Sequence, residues 1–387
     1  MSHSTPYGLG MDISDRSMMA CLRGPESTVI EETTLPLSPA VAEVYLRRLK
    51  ELQPVVALET GTHSNWIYDL LQTLGFEKVI MADARKLKVI FQSDKKTDRF
   101  DAQILARLAQ TCPELLHGVR PRGEQARQDR RLLSARQIAV ETRTKLVTHM
   151  RGIVKSTGAR LVDCDADRFA DQKDSLPDAL QEILAPLFES VFQVTEAIFT
   201  YDAAIQKRCA NDPVIKQLIQ VPGVGEITAL AFVSAIEDPF RFKRNRDVAS
   251  YFGVRPRVDK SGMIEKQLRI TKAGDQYMRQ LLVQCAHAVL RPRSQVTDLK
   301  RWGQKVAESG GKRGKRRAAV AVARKLAVLL LSLWKTGAKY EPFKERGDKN
   351  ESATTVPPKG SASSISAQYT TRRKRIRSPR AMATNLK

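Results

Sequence analysis

The chain has 387 residues, 42% of them hydrophobic, and carries 65 Lys plus Arg against 42 Asp plus Glu, a formal charge of +23. That length and apolar content predict two or three folded domains, exclude a wholly disordered chain, and point by charge to a polyanionic partner, nucleic acid before an anionic membrane surface. Cys21, Cys112, Cys164, Cys209 and Cys285 form no CxxC pair, which argues against a disulfide framework or a zinc finger and predicts a reduced, cytoplasmic protein.

From the N-terminus, MSHSTPYGLGMD lacks a basic region followed by an apolar core, so no signal peptide is expected. YGLGMDI (7–13), SMMACLR (17–23) and TVIEETTL (28–35) read as three short strands in a meander. SPAVAEVYLRRLKEL (38–52) has helical spacing with Ser38 as its cap, PVVALET (54–60) is a buried-type strand, NWIYDLLQTLG (65–75) a helix closed by glycine, and KVIMAD (78–83) another strand. Three antiparallel strands followed by helix, strand, helix, strand and helix is the order of a ribonuclease-H-like domain. Two long charged helices are predicted at roughly 124–156 and 176–209, joined by DCDADRFADQKDS (163–175), as a spacer or a dimerising coiled coil. In LIQVPGVGEITALAFVSAI (218–236), Pro222, Gly223 and Gly225 make the tight turn of a helix-hairpin-helix, whose backbone N–H groups suit a DNA phosphate. The apolar stretch 318–334 is interrupted by Arg324 and Lys325 and reads as a buried or amphipathic helix, so no membrane partner is expected. Beyond Glu351 the chain holds no acid and carries RRKRIRSPR (372–380), the pattern of a disordered basic tail.

Four acids stand out. Asp12 ends the first strand, Glu59 ends the fourth, and Asp98 and Asp101 in KTDRFDA open a helix, three residues apart on one face. Taken singly, Asp98 is a helix cap and Glu59 a solvent-facing strand end. Taken together, in a sheet where the first and fourth strands are neighbours, the four form an oxygen-only cluster suited to Mg²⁺, with Mn²⁺ as the alternative, and to phosphodiester chemistry. Lys95 and Lys96 would then offset phosphate charge. Ser261, in GVRPRVDKSG (253–262), reads from the residues alone as a turn residue with no adjacent His or Cys to act as its base.

GMDIS, LETGT and KTDRFDA, then VPGVGEITA, then RFKRNRDVASYFGVRPRVDKSG with ITKAGDQYMRQLL, resemble the DEDD transposases of insertion-sequence family one-ten, and in the C-terminal part its eleven-eleven subgroup. The resemblance runs from about residue 7 to 338. It implies an α/β plus α architecture: a RuvC-like DEDD nuclease domain over 1–122, a long-helix coiled-coil region over 123–212 and a mainly helical C-terminal transposase domain over 213–345, to which composition adds the disordered basic tail over 346–387. It further implies that Asp12, Glu59, Asp98 and Asp101 bind Mg²⁺, that Ser261 is a nucleophile attaching covalently to DNA, and that the partners are donor and target DNA, a structured guide (bridge) RNA and further copies of the chain.

The expected function is therefore an RNA-guided, metal-dependent serine recombinase that moves its own element. The alternative is a metal nuclease of the Holliday-junction-resolvase type that uses water and leaves Ser261 in an ordinary turn. A third reading, from another class, is a non-catalytic nucleic-acid-binding protein whose acids are caps.

Overall fold

A computed structural model describes residues 6–83, 86, 97–261 and 264–343, with the side chains of 259–267 left aside. Lys95, Lys96 and the basic tail therefore lie outside the described residues. The N-terminal part is a five-stranded sheet: β1 (Gly8–Ile13), β2 (Ser17–Arg23), β3 (Val29–Pro36), β4 (Val55–Glu59) and β5 (Val79–Ala82), in the order β3-β2-β1-β4-β5. The first three strands are antiparallel neighbours, whereas β4 runs parallel to both β1 and β5.

The parallel steps need crossovers, which α1 (Pro39–Leu49) and α2 (Ser64–Leu74) supply. Ser38 Oγ accepts from the Val41 N–H at 3.3 Å to start α1, and Gly75, at φ 82°, closes α2. Alternation along the strands splits the sheet into two faces. Leu9, Met11, Val56 and Leu58 pack against Tyr45, Leu46, Ile67 and Leu71 of α1 and α2. On the other face, Val55, Ala57 and Ala82 pack against Leu105, Leu108 and Ala109 of α3 (Asp98–Thr111).

The remainder is mostly helical. α4 (Glu124–Ser156) and α5 (Asp178–Cys209) form an antiparallel hairpin: Arg136 pairs with Asp202 at 2.5 Å near its base, while Met150 and Val154 meet Leu180, Leu184 and Phe188 near its tip. α5 is long and apolar enough to cross a membrane by composition, yet its buried positions face α4 and the tip cluster. The bases of both helices enter a larger core, where Leu133, Ile205 and Cys209 join α6 (Pro213–Leu218), α7 (Glu226–Ile236), α9 (Gln276–Leu290), α10 (Asp298–Ser309) and α11 (Gly314–Thr336). Between α7 and α9 lie the short α8 (Asp247–Tyr251) and an antiparallel hairpin, β6 (Pro256–Ser261) with β7 (Ile264–Ile270). The hairpin is the one stretch of strand among the described residues of this otherwise helical region, which agrees with the mainly helical expectation.

Candidate functional site

The site is set by how closely α3 lies on β1. A Cβ on Gly10 would stand 2.1 Å from the Ala102 carbonyl oxygen and 2.3 Å from the Ala106 nitrogen; one on Gly8 would stand 2.5 Å from the Ala106 carbonyl oxygen. Two glycines on one face of a strand thus let a helix backbone sit directly against the sheet. They also fix the direction. Each step of two residues along β1 advances about 6.6 Å and matches four residues of α3, about 6 Å, so the helix runs antiparallel to the strand. The next residue on that face of β1 is Asp12, and the next level of α3 is its first turn, with Asp98 and Asp101.

Glu59 arrives through the sheet register. Gly8 pairs with Val55, Gly10 with Ala57 and Met11 with Leu58, so one residue further Glu59 stands beside Asp12, on the face that bears α3. The four acids named from the sequence therefore share one end of one face. Asp12 reports this electrostatically: burial first, and then the charges of Asp98, Asp101 and Glu59, together push its carboxyl up from 3.8 to about 6. A backbone hydrogen bond from Ile13 opposes them. Among the described residues, however, no three such groups lie close enough together to share one ion. In kind the four acids fit a hard divalent cation: four carboxylates with no imidazole or thiolate.

Asp98 is not the cap of α3. Thr97 takes that place, its Oγ1 accepting from the Phe100 N–H at 3.2 Å, which leaves the Asp98 carboxylate at the first helical position. A fifth acid on the same face has a different role. Glu32 of β3 takes hydrogen bonds from Gln103 and from Arg99 Nε, the latter at 2.7 Å, and these hold its carboxyl below the usual range. It is thereby neutralised, and it ties the second turn of α3 to the sheet. Sequence reading did not identify Thr97, Gly8, Gly10 or Glu32; the G-x-G within a strand was the available signal of close approach.

Ser261 is the last residue of β6 and pairs in register with Ile264 across the turn. The base of this hairpin is cinched by two glycines with left-handed backbones. Gly253 has φ 67° and no room for a Cβ, which would be 2.0 Å from the Ala273 carbonyl oxygen; Gly274 has φ 75° and stands equally close to that of Tyr251. Arg279 adds a clasp, donating to the Ala273 carbonyl at 2.7 Å. In the helix-hairpin-helix candidate, α6 and α7 flank the turn, Gly223 has φ 86° and lies against Cys285 and Val289 of α9, and Gly225 precedes α7 with open space beside it.

A cleft of about 810 Å³ lies elsewhere, lined by Arg122, Arg127, Arg130 and Arg131. Its arginines are largely satisfied by the protein: Arg127 pairs with Asp69 at 2.5 Å, Arg130 with Asp275 at 2.7 Å and Arg131 with Glu124 at 3.0 Å. The cleft is thus a polar junction rather than a free anion site.

Comparison with known proteins finds matches in both the N-terminal and the C-terminal parts of the chain. Residues 9–158 match a transposase family profile of the DEDD IS110 type, and residues 215–300 match one described as Transposase IS116/IS110/IS902 family. The transposase for insertion sequence element IS1111A of Coxiella burnetii is 28% identical over 309 residues, 75% of this chain and 83% of that protein. The transposase for insertion sequence element IS1328 of Yersinia enterocolitica is 26% identical over 241 residues, covering 61% of this chain and 71% of that one. With the two profiles matched in order and together spanning more than half of its length, the chain belongs to the IS110/IS116/IS902 family of DEDD transposases, enzymes that act on DNA.

Proposed function

We propose that the chain is a metal-dependent site-specific recombinase that cuts and rejoins DNA through a covalent bond to Ser261, guided by a structured RNA of its own element. The observation that carries the reading is the gathering of Asp12, Glu59, Asp98 and Asp101 at one end of the sheet, with Asp12 raised to about 6 by burial and by the other three carboxylates. Strand order β3-β2-β1-β4-β5 with α3 on the nuclease face is what a ribonuclease-H-like, RuvC-like domain requires.

In this reading Asp12, Glu59, Asp98 and Asp101 would hold Mg²⁺ or Mn²⁺, which when bound polarises a phosphodiester and offsets the charge of a leaving oxygen. Asp12 must lose its proton to serve, and α3 must stay docked through Gly8 and Gly10 to keep the first-turn acids at the sheet. Ser261 Oγ would form one P–O bond as one P–O bond of the DNA backbone breaks, the serine proton leaving and the departing oxygen gaining one. Attack by an incoming DNA hydroxyl reverses the exchange and frees the serine, so the bond count is conserved and no ATP is required. The proposed division places the nuclease domain at 1–122, the long-helix region at 123–212 and the serine in the domain at 213–345. The α4–α5 hairpin then serves as the connecting and assembling device of an oligomer, and Gly223 and Gly225 as a backbone contact to DNA phosphate.

The test is to express the chain with its native element flanks and recover DNA-linked protein under denaturing conditions. Wild type is expected to give an adduct that disappears in Ser261→Ala and in Asp101→Ala, and to lose it when the flanking RNA is not transcribed. Cleavage without adduct, persisting in Ser261→Ala, selects instead the resolvase-like nuclease that uses water.

A further inference from the structure

Between residues 299 and 340 the sequence holds twelve Lys or Arg and one acid, Glu308. The structure separates these cations by what they do. Lys300 is buried and donates to the carbonyls of Pro292 and Ser294 at 3.0 and 2.8 Å; Lys325 sits 4.1 Å from the centre of the Trp302 ring; Lys335 donates to the Phe242 carbonyl at 2.6 Å. Those are structural. Lys312, Arg313, Lys315, Arg316, Arg317 and Arg324 are exposed, and none makes an ion pair among the described residues. This contrasts with the arginine-lined cleft, where acids already occupy the guanidinium groups.

The six free cations lie at the corner where α10 meets α11 and along the first turns of α11. The arrangement repels itself. Arg313 and Arg317 are four residues apart, so like charges face one another. Lys315, Arg316 and Arg317 crowd the N-terminal turn of α11, the end of a helix that disfavours cations. The corner that presents them is rigid: a Cβ on Gly314 would stand 1.9 Å from the Ala307 carbonyl oxygen, and one on Gly303 would stand 2.6 Å from the Val322 side chain. Packing therefore holds a strongly cationic surface in place without any internal counter-charge.

We propose that the α10–α11 corner is a DNA-binding surface separate from the acidic site, gripping the phosphate backbone of duplex DNA without reading its sequence. Arg313, the residue that precedes α11, and Arg317 and Arg324 within it are spaced to lie along one stripe. At 1.5 Å per residue the stripe spans about 16 Å, the length of duplex that carries roughly nine phosphate charges. The enzyme acts on DNA, and a row of long, exposed cations spaced along one helix suits contact with successive backbone phosphates. A ligand of that charge relieves the repulsion within α11 as it binds.

Fluorescence anisotropy on the full chain tests this, using a duplex of about thirty base pairs of arbitrary sequence titrated at salt concentrations from about 50 to 200 mM. The variant Lys312→Ala/Arg313→Ala/Arg316→Ala/Arg317→Ala is expected to bind about ten-fold or more weakly, with a salt slope shallower by about 2 to 4. The comparison variant Lys145→Ala/Lys155→Ala/Arg160→Ala, in exposed cations of the α4–α5 hairpin, is expected to move neither quantity. Equal losses in both variants, unchanged binding in the first, or a loss confined to a structured RNA would each overturn the proposal. On the unmodified protein, duplex should also shield Lys312 and Lys315 from amine acetylation, read by mass spectrometry, while leaving Lys145 and Lys155 reactive; equal labelling of all four with and without duplex refutes it without any variant.

Discussion

At the scale of single residues, Asp12 carries the sharpest expectation. Its folded pKa, about 6, lies above the ordinary 3.8, so the native protein holds that proton more tightly than the unfolded chain does. Without metal, its contribution to stability is greatest below the ordinary carboxylate range and is lost as pH rises through about 6. Asp12→Asn removes that dependence. Allowing for solvent screening at a partly exposed group, it should stabilise the metal-free protein by about 1 kcal/mol at pH 8 and by nothing at pH 3. Melting curves in chelator at the two pH values check this, and added Mg²⁺ should raise the melting temperature of wild type but not of the variant. Gly10→Ala tests the other side of the site. Its Cβ meets backbone atoms of α3, so the helix must shift, at about 2 to 3 kcal/mol, and Mg²⁺ stabilisation should fall with it. The acids were legible in the sequence because a carboxylate at the end of an apolar strand is an anomaly by residue type alone. Thr97 and Gly10 were not, since which of two neighbours caps a helix, and which glycine lies under one, depend on where α3 docks.

Elements were legible where period and punctuation agreed. The three-strand meander, the Ser38 cap, the Gly75 stop and both long helices appear within a residue or two of their expected places. The β6–β7 hairpin was not, because the clasp at its base, formed by Gly253, Gly274 and Arg279, depends on where distant segments meet. That clasp gives an element-scale prediction. Gly274→Ala places a Cβ 2.0 Å from the Tyr251 carbonyl oxygen in a left-handed backbone, and should loosen the hairpin by about 2 to 3 kcal/mol. Because the hairpin lies outside the large apolar cluster, the loss should be local. Hydrogen exchange is expected to quicken over 255–270 while the sheet around Asp12 keeps its protection and its Mg²⁺ response. If Ser261 is the nucleophile, the DNA adduct should fall in parallel; an undiminished adduct would show that hairpin rigidity is irrelevant to attack.

For the whole molecule, the segment from Arg120 to Arg130 is where sheet, long helices and C-terminal core are held to one another by charge. Arg127 reaches Asp69 of α2, the Gly123 N–H donates to Glu237 at 2.7 Å, Arg122 donates to the Tyr251 hydroxyl at 3.2 Å, and Arg130 pairs with Asp275 at 2.7 Å. Asp275 is also the cap of α9, accepting from the Met278 N–H at 3.0 Å. Burial pushes its carboxyl up, but that hydrogen bond and Arg130 outweigh burial and hold it below the ordinary range. The sign is therefore opposite to that of Asp12: the contribution of Asp275 is present above the ordinary carboxylate range and lost as acid protonates it below its folded pKa. Arg130→Ala leaves the carboxylate largely buried with only its capping bond, and should cost about 2 to 4 kcal/mol at pH 7. Arg130→Ala/Asp275→Asn, which keeps a capping oxygen and removes the orphaned charge, should recover part of it. Urea unfolding of the three proteins at pH 7 and near pH 3 separates the terms. The wild-type advantage over Arg130→Ala should shrink as the pH falls toward and through the folded pKa of Asp275, and an advantage that does not shrink with acid would assign the role of Arg130 to packing rather than to its charge.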